Sequence, residues 1–287
     1  MKILMGKYFS SLMHQFFSLK YRKRNLFPTH TLKFLNFQSD RILLNLGCGS
    51  RYHPSWINID YHGDGLKVFP WDLRKGIPLP NRTCDAVYVS HVLEHFERDA
   101  ARTFLLECFR VLKPMAILRL VVPDLEGIVR SYLKCFEEAL QNNEGSSARY
   151  EWSVIELLDQ LVRHKSGGEM AKYWAQVDVP AEDYVVQRVG MEYHCARKSL
   201  RGKLLPNDSI VNEFSVGRFR LGGEPHQWMY DRYSLKQLMI SIGFESVCNR
   251  SPTESFIENF SDFNLDTEAD GTVCKPDSLF MEGRKPY

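Results

Sequence analysis

The feature that most constrains the fold is a short apolar segment that runs directly into a glycine turn. Residues 41–46 are followed by Gly47, Cys48 and Gly49, and a second alternating segment over 56–60 ends in a carboxylate. A continuous apolar run closed by glycine is typical of a strand buried on both faces of a parallel sheet. Because parallel strands need crossover connections, the chain is predicted to be an α/β protein.

Strand and helix patterns then alternate along the chain. Further strands are predicted at 85–89, 117–122, 244–248 and 278–281. Helical apolar spacing occurs over 98–112, which is followed by Pro114, and over 234–242, which is followed by Gly243. This order of elements predicts a Rossmann-like doubly wound sheet.

A long helical stretch interrupts the α/β pattern. Residues 127–225 contain several segments with helical spacing, so we expect a helical cap inserted into a core formed by residues 40–126 and 226–287. The insertion follows the carboxyl end of a strand, where open α/β sheets bind their ligands. The cap is therefore predicted to shape the substrate site.

Charged residues are distributed unevenly along the chain. The formal net charge is +2, from 37 basic and 35 acidic side chains, yet residues 1–39 hold seven Lys or Arg and no acid. The rest of the chain therefore has 30 basic residues against 35 acidic ones. An acidic body argues against a groove for nucleic acid, so nucleic-acid partners are not expected.

The basic leader, residues 1–39, has a pattern of its own. Apolar residues recur every four positions from Leu4 to Phe17, and basic residues follow at 20 and 22–24. This predicts an amphipathic helix whose residues 1–24 either contact an anionic membrane peripherally or pack on the core, and a cleaved transit peptide is a third interpretation.

Two further observations bear on the compartment. The sequence has no apolar run long enough for a spanning helix or a secretory signal. Its seven cysteines show no CxxC pair and no disulfide spacing. We therefore expect a cytoplasmic protein, either free or attached to a membrane surface.

The glycine turn alone is compatible with a nicotinamide, a flavin or an S-adenosylmethionine site. The dinucleotide pattern GxGxxG would need glycine at position 52, which holds Tyr52. Nicotinamide dinucleotides are therefore disfavoured as the ligand.

Four ordered blocks of the sequence resemble class I S-adenosylmethionine-dependent methyltransferases, in the branch with LNLGCG and HVLEH motifs. The blocks are residues 45–60, 71–73, 84–95 and 107–114, and the resemblance resumes at 225–230 and 243–244. The resemblance implies a methylation reaction, a transferase of EC 2.1.1, with S-adenosyl-L-methionine as the cofactor.

The resemblance also implies a cofactor site. The lack of side chains at Gly47 and Gly49 would let backbone N–H groups approach the methionine portion. Asp60 would accept both ribose hydroxyls, with a helix N-cap as its alternative role, and Asp72 with Leu73 would contact the adenine. The full predicted set of cofactor-binding residues is Asn45, Gly47, Cys48, Gly49, Asp60, Asp72, Leu73 and Ser90.

Several positions depart from the family pattern. Asn45 replaces an acid, and Arg51 replaces a third glycine. Only the seven residues 50–56 lie between Gly49 and Ile57 of the second strand, too few for a crossover helix, so a turn is expected there. The segment 114–116 replaces Pro-Gly-Gly, and Met115 is expected to fit only if the turn avoids positive φ.

One histidine-rich segment carries the candidate chemistry. Methylation of a hydroxyl needs a proton acceptor, and His91 ends a strand at the expected reacting position, so it is the predicted catalytic base. His91, Glu94 and His95 are spaced to share one helix face. Some family relatives bind a metal with a similar arrangement plus a distant histidine, which His226 resembles.

These four residues, His91, Glu94, His95 and His226, are thus a predicted site for a divalent metal, with a preference for the softer transition metals. The alternative is that His91 lines the pocket while Glu94 and His95 hydrogen-bond to loops.

The sequence therefore predicts methyl transfer from S-adenosylmethionine to a hydroxyl of a small molecule, sugar or lipid-linked glycan bound under the cap. One alternative is a non-catalytic methyltransferase-like binding module, which the departures at 45, 51 and 114–116 favour. Another is an RNA methyltransferase, which the acidic body disfavours.

Overall fold

The computed structural model describes residues 41–200 and 212–287. The predictions on the leader, residues 1–39, lie outside the described residues. The strands are β1 (Leu43–Leu46), β2 (Ile57–Asp60), β3 (Phe69–Pro70), β4 (Cys84–Ser90), β5 (Leu112–Pro123), β6 (Glu245–Arg250) and β7 (Ser278–Arg284). They form one sheet in the order β3-β2-β1-β4-β5-β7-β6.

The sheet is parallel from β3 to β5, and β7 runs antiparallel to both β5 and β6. Because β1 to β5 are connected by crossovers and lie in doubly wound order, the predicted Rossmann-like fold is confirmed. The six predicted strands are all present, and the two-residue β3 is an addition to them.

The helices are α1 (Arg98–Val111), α2 (Leu125–Leu140), α3 (Ser146–Val162), α4 (Gly168–Ala175), α5 (Glu182–Val189), α6 (Met191–Leu200), α7 (Glu213–Leu221) and α8 (Arg232–Ile242). Short 3-10 helices lie at Leu73–Lys75, Leu93–His95 and Phe260–Phe263. The apolar residues of α1 and α8, such as Leu105 and Met239, pack with Leu44 and Leu46 of β1 in the main core. The opposite face of the sheet packs on Phe260 and Leu265.

The connection from β1 to β2 contains turns and no helix, as its length predicts. The side chain of Asn58 on β2 stabilises this connection, since its Nδ2 donates to the carbonyls of His53 (2.9 Å) and Trp56 (2.8 Å). Without a helix there, no macrodipole assists a ligand at the glycine turn. Binding must come from the turn itself and from side chains.

The turn at Met115 differs from the expectation. Met115 has φ of 65°, so the expectation that methionine fits here only if the turn avoids positive φ is wrong. Contacts with the end of β7 hold it there: the N–H of Met115 donates to the carbonyl of Lys285 (2.8 Å), and Arg284 donates to the carbonyl of Met115 (3.1 Å). A non-glycine residue in this region is strained by about 1 kcal/mol.

The helices α2 to α7 occupy most of the stretch between β5 and α8. Residues of α3 to α6 form a third apolar cluster, built around Trp152, Tyr173, Trp174 and Tyr193. The boundaries of the cap at 127 and 225 stay a prediction. In the described parts of the chain, no helix is long and apolar enough to cross a membrane.

Candidate functional site

The carboxyl ends of β1 and β4 lie side by side and bring the glycine turn and His91 to one edge of the sheet. The contact between the two loops is close, because a Cβ atom at Gly47 would lie 2.2 Å from Cγ2 of Val92. Gly47 also has φ of 65°. Both its conformation and its neighbour therefore require glycine at this position.

Asp60 lies beside open space at the glycine turn. Its Oδ2 accepts from the N–H of Gly49 (2.9 Å) and its Oδ1 from the N–H of His62 (2.9 Å). A Cβ atom at Gly49 would meet nothing within 4 Å. Each carboxylate oxygen keeps a free lone pair, so the pair of oxygens suits two vicinal hydroxyls. The segment after Asp60 forms bends, so its alternative role as a helix N-cap is not observed.

Asp72 is already engaged by a neighbour. Its oxygens accept from Nε (2.9 Å) and Nη2 (3.1 Å) of Arg74, and it caps the 3-10 helix Leu73–Lys75. Burial opposes ionisation, but the bonds from Arg74 lower the pKa of Asp72 below its ordinary value. Leu73 packs against the main core. An adenine amine at Asp72 would share the carboxylate with Arg74.

The remaining predicted cofactor residues have other contacts. Asn45 is buried and its Nδ2 donates to Oδ1 of Asn58 (3.0 Å) and to the carbonyl of Arg51 (3.2 Å), which stabilises the β1–β2 connection. Burial, reinforced by the charge of Asp60, raises the pKa of the Cys48 thiol to about 12. Ser90 is the last residue of β4. Cofactor contacts by Asn45, Cys48 and Ser90 stay predictions.

His91 lies between a carboxylate and a hydroxyl. Its Nδ1 is 3.3 Å from Oε1 of Glu94, and its Nε2 is 2.9 Å from Oγ of Ser278. Its backbone is left-handed, with φ of 52°, and its N–H donates to the carbonyl of Val121 (2.9 Å). Strained backbone of this kind is often found at functional sites. The carboxylate favours the tautomer with hydrogen on Nδ1, which leaves Nε2 as an acceptor.

The predicted metal site requires a correction. Leu93–His95 is a 3-10 helix and His91 precedes it with left-handed backbone, so His91, Glu94 and His95 do not share an α-helical face. Instead, one ligand atom each from Glu94, His95 and His226 lies within 4.8 Å of the others. His91 contacts Glu94 but is not a member of this group of three.

Backbone contacts explain how His226 reaches a segment so distant in sequence. The N–H groups of Gln227 and Trp228 donate to the carbonyl of Glu94 (2.7 and 3.2 Å), and that of His226 donates to the carbonyl of Gln160 on α3 (3.0 Å). The rings of His95 and His226 then meet edge to face, with centroids 4.9 Å apart.

Burial affects the ionisation of Glu94 and His226. Glu94 is fully buried and neither oxygen has a hydrogen bond of normal geometry. Burial opposes its ionisation, but contact with His91 and attraction to the surrounding imidazoles lower the pKa of Glu94 to about 2. Burial also lowers the pKa of His226 to about 3, against the attraction of Glu94. An ionised carboxylate beside neutral imidazole is a donor set that suits a divalent transition metal.

A cavity lies between this edge of the sheet and the helices α2, α3, α4 and α6. His91 and His226 line it from the sheet side, together with Asp277, while Glu156 and Glu192 line it from the helices. A ligand held in this cavity can contact the ring of His91.

Sequence reasoning missed Asp277, Ser278 and the two glutamates. Ser278 begins β7, and only the antiparallel pairing of Ser278 with Pro123 brings it beside His91. Local apolar patterns do not encode which strands pair, so no sequence signal pointed to these residues.

Comparisons with known proteins find one family model and several solved structures similar to this chain. Residues 58–120 match the family model described as a methyltransferase domain. No curated protein matches the chain in sequence. Similar solved structures include a SAM-dependent methyltransferase from Archaeoglobus fulgidus, at 13% identity, 95% and 99% coverage of this chain and that one, and a TM-score of 0.38. Another, from Mesorhizobium loti, has 13% identity, coverages of 85% and 91%, and a TM-score of 0.34.

The strand order, the glycine turn and the matched segment define a Rossmann-like methyltransferase fold. The resemblance to class I S-adenosylmethionine-dependent methyltransferases is thereby confirmed, and S-adenosylmethionine is the cofactor that the match supports. Residues 58–120 are thus similar to a methyltransferase domain, and they lie within a sheet of Rossmann-like order.

Proposed function

We propose that this protein transfers a methyl group from S-adenosylmethionine to a hydroxyl of a small molecule, sugar or lipid-linked glycan bound in the cavity under the helices. The observation that carries this proposal is the position of His91. It lines the cavity and is held between Glu94 and Ser278, at the same sheet edge as the glycine turn. An oriented imidazole at a substrate cavity is suited to accept a hydroxyl proton.

The residues present fit the cofactor. Gly47, Gly49 and Asp60 would hold its methionine and ribose portions, since the space at Gly49 is open and Asp60 keeps free lone pairs. Asp72 and Leu73 would hold the adenine. When bound, S-adenosylmethionine supplies a methyl group on a positively charged sulfur, which is a good leaving group.

The chain's part in the reaction is alignment and proton removal. The acceptor hydroxyl would be placed against Nε2 of His91, oriented toward the methyl group that the bound cofactor would supply. The hydroxyl proton passes to Nε2, and Glu94 stabilises the charge that develops on the ring. Ser278 occupies the same nitrogen at rest, so the acceptor replaces it there.

The proposal is tested with methyl-labelled cofactor and a panel of phenols, sugars and lipid-linked glycans. We expect a label that is stable to base, as an ether is and an ester is not. His91→Asn keeps a residue that tolerates positive φ and removes the base, so turnover should fall about 100-fold or more while cofactor affinity stays within about threefold. An equal loss of cofactor affinity would make His91 a structural residue and contradict the proposal.

A second proposal concerns a metal at Glu94, His95 and His226. It is supported by their grouping within 4.8 Å and by the lack of hydrogen bonds to Glu94. These residues would supply one carboxylate and two imidazoles, and a metal there would orient an acceptor hydroxyl.

Calorimetry with Zn²⁺ or Mn²⁺ tests the metal site. We expect binding that Glu94→Gln weakens about tenfold or more, and that His62→Gln, at an exposed histidine, leaves unchanged. Activity should be lost in EDTA and restored by a divalent ion. Full activity in EDTA would contradict the metal proposal while leaving base catalysis by His91 intact.

A further inference from the structure

The wall of the cavity carries more charge than the reaction uses. Three carboxylates line it, from Glu156, Glu192 and Asp277. Its apolar wall includes the side chains of Met170 and Met229. Methionine adapts to irregular shapes, so this wall suits a carbon skeleton. The arrangement of the carboxylates decides what the polar part of the ligand must be.

Two of the three carboxylates are neutralised within the protein. Arg188 binds both oxygens of Glu156, through Nε (3.0 and 3.1 Å) and Nη2 (2.6 Å). Lys275 Nζ lies 3.1 Å from Oε2 of Glu192. These pairs position the carboxylates and leave no net charge for a ligand to balance.

Asp277 differs from Glu156 and Glu192 in having no such pair within the described part of the chain. Among the described residues, none makes a hydrogen bond or ion pair with its carboxylate, and its backbone carbonyl is held by the N–H of Asp124 (2.9 Å). The groups nearest to it electrostatically are His91, Lys275, Glu192 and Arg188, and burial raises the pKa of Asp277 in spite of the cationic ones. Asp277 therefore lines the cavity without a side-chain partner among the described residues.

The side chain of His226, on the same wall, has no hydrogen-bond partner among the described residues. The side chain of His226 is 5% exposed, and among the described residues its nearest charged atom is Oε1 of Glu94, at 4.0 Å. A neutral imidazole is a hydrogen-bond acceptor at one nitrogen. Asp277 and His226 thus offer acceptors, and no cation, to whatever fills the cavity.

We propose that the methyl acceptor carries an ammonium group, which binds to Asp277 while its carbon skeleton packs on Met170 and Met229. The proposal rests on the proposed function, because it assigns a chemical class to the acceptor of that reaction. A carboxylate without a side-chain partner prefers a cation to a neutral hydroxyl, since charge-assisted hydrogen bonds are about twice as strong as neutral ones. A carboxylate at the same place on the ligand would be repelled.

Three phenols that share one skeleton test the proposal: tyramine, tyrosol and 4-hydroxyphenylacetate, which end in an ammonium, a hydroxyl and a carboxylate. Affinities are measured by ligand-observed NMR without cofactor and in EDTA, so that no divalent ion occupies His226. We expect tyramine to bind about tenfold more tightly than tyrosol, and 4-hydroxyphenylacetate to bind most weakly.

Asp277→Asn should reduce the preference for tyramine to about twofold or less, whereas Asp262→Asn, at an exposed carboxylate, should keep it. Asp277→Ser serves the same purpose if the amide disturbs folding. Tyrosol binding as tightly as tyramine, no binding by any of the three, or a preference that survives in both Asp277 variants would overturn the proposal. Calorimetry with S-adenosylhomocysteine on the same proteins separates this outcome from failure of the methyltransferase proposal, because the phenol measurements need no cofactor.

Discussion

At the scale of single residues, the site depends on backbone conformations that few side chains tolerate. Gly47, Gly49 and His91 all have positive φ, and all three lie at the carboxyl edge of the sheet. For Gly47 the neighbouring Val92 adds a steric demand, whereas Gly49 faces open space. The two glycines therefore serve different purposes, the first to pack two loops together and the second to leave room for a ligand.

This difference predicts unequal effects of the same substitution. Gly47→Ala should lower the free energy of unfolding by about 3 kcal/mol or more, because strain adds to a clash with Val92. Gly49→Ala should lower it by only about 1 kcal/mol, the cost of strain alone. Urea denaturation of both variants checks the prediction. Equal losses would show that Val92 moves aside freely.

Other residues of the site show the limit of motif reasoning. Glu94 and His226 are identified by their place in motifs, and both lie at the site. The pairing of His91 with Ser278 depends on the antiparallel contact of β5 with β7, which the motifs do not describe. Asp277 lines the cavity because the same pairing of β5 with β7 places residue 277 there.

At the scale of elements, the regular strands and helices were predictable because their apolar periodicity is local. The strand β1 and the helices α1 and α8 follow from runs of residues that bury one or both faces. The turn at Met115 and the 3-10 helix Leu93–His95 were not predictable. Their conformations are set by contacts with residues 284–285 and 225–228, which lie far away in sequence.

The turn at Met115 supplies a prediction at this scale. Met115→Gly should raise the free energy of unfolding by about 1 kcal/mol, because glycine adopts φ of 65° without strain and the side chain of Met115 is 38% exposed. Met115→Ala keeps the strain and is the matched control, expected to be neutral or slightly destabilising. Thermal or urea unfolding measures both. Destabilisation by glycine would mean that packing of the methionine outweighs its strain.

The N-terminal cap of helix α8 supplies a second prediction at this scale. Asp231 forms a capping box with Ser234, accepting from its N–H (2.7 Å), while the hydroxyl of Ser234 accepts from the N–H of Asp231 (3.1 Å). Asp231→Ala should lower the free energy of unfolding by about 1 kcal/mol, whereas Asp231→Asn should largely preserve it. Denaturation curves for the two variants compare the caps directly.

At the scale of the whole molecule, one buried network joins the central sheet to the segment between β6 and β7. Arg119 on β5 is fully buried and donates to Asp266 (2.8 Å) and to Glu282 on β7 (2.8 Å). It also donates to the carbonyls of Ser251 and Glu254 (2.9 Å each). This network fixes the face of the sheet that α1 and α8 do not cover.

Among the described residues, removing Arg119 leaves the buried carboxylate of Asp266 without its cation and that of Glu282 with Arg250 alone, at 3.6 Å. Arg119→Met should therefore lower the free energy of unfolding by about 3 kcal/mol or more. Arg130→Ala, which breaks an exposed pair with Glu126 on α2, should change it by less than about 0.5 kcal/mol. Urea unfolding of the two variants compares the stability lost with the buried network and the stability lost with one exposed ion pair.

The central claim, that the sheet edge at Gly49 and Asp60 binds S-adenosylmethionine, is tested most directly by calorimetry with S-adenosylhomocysteine. We predict binding to the wild type that Asp60→Ala weakens about tenfold or more, because two ribose hydroxyls lose their acceptor, while Asp262→Asn leaves it unchanged. No binding at millimolar ligand, as expected of a non-catalytic module, or equal binding by all three proteins would contradict the claim.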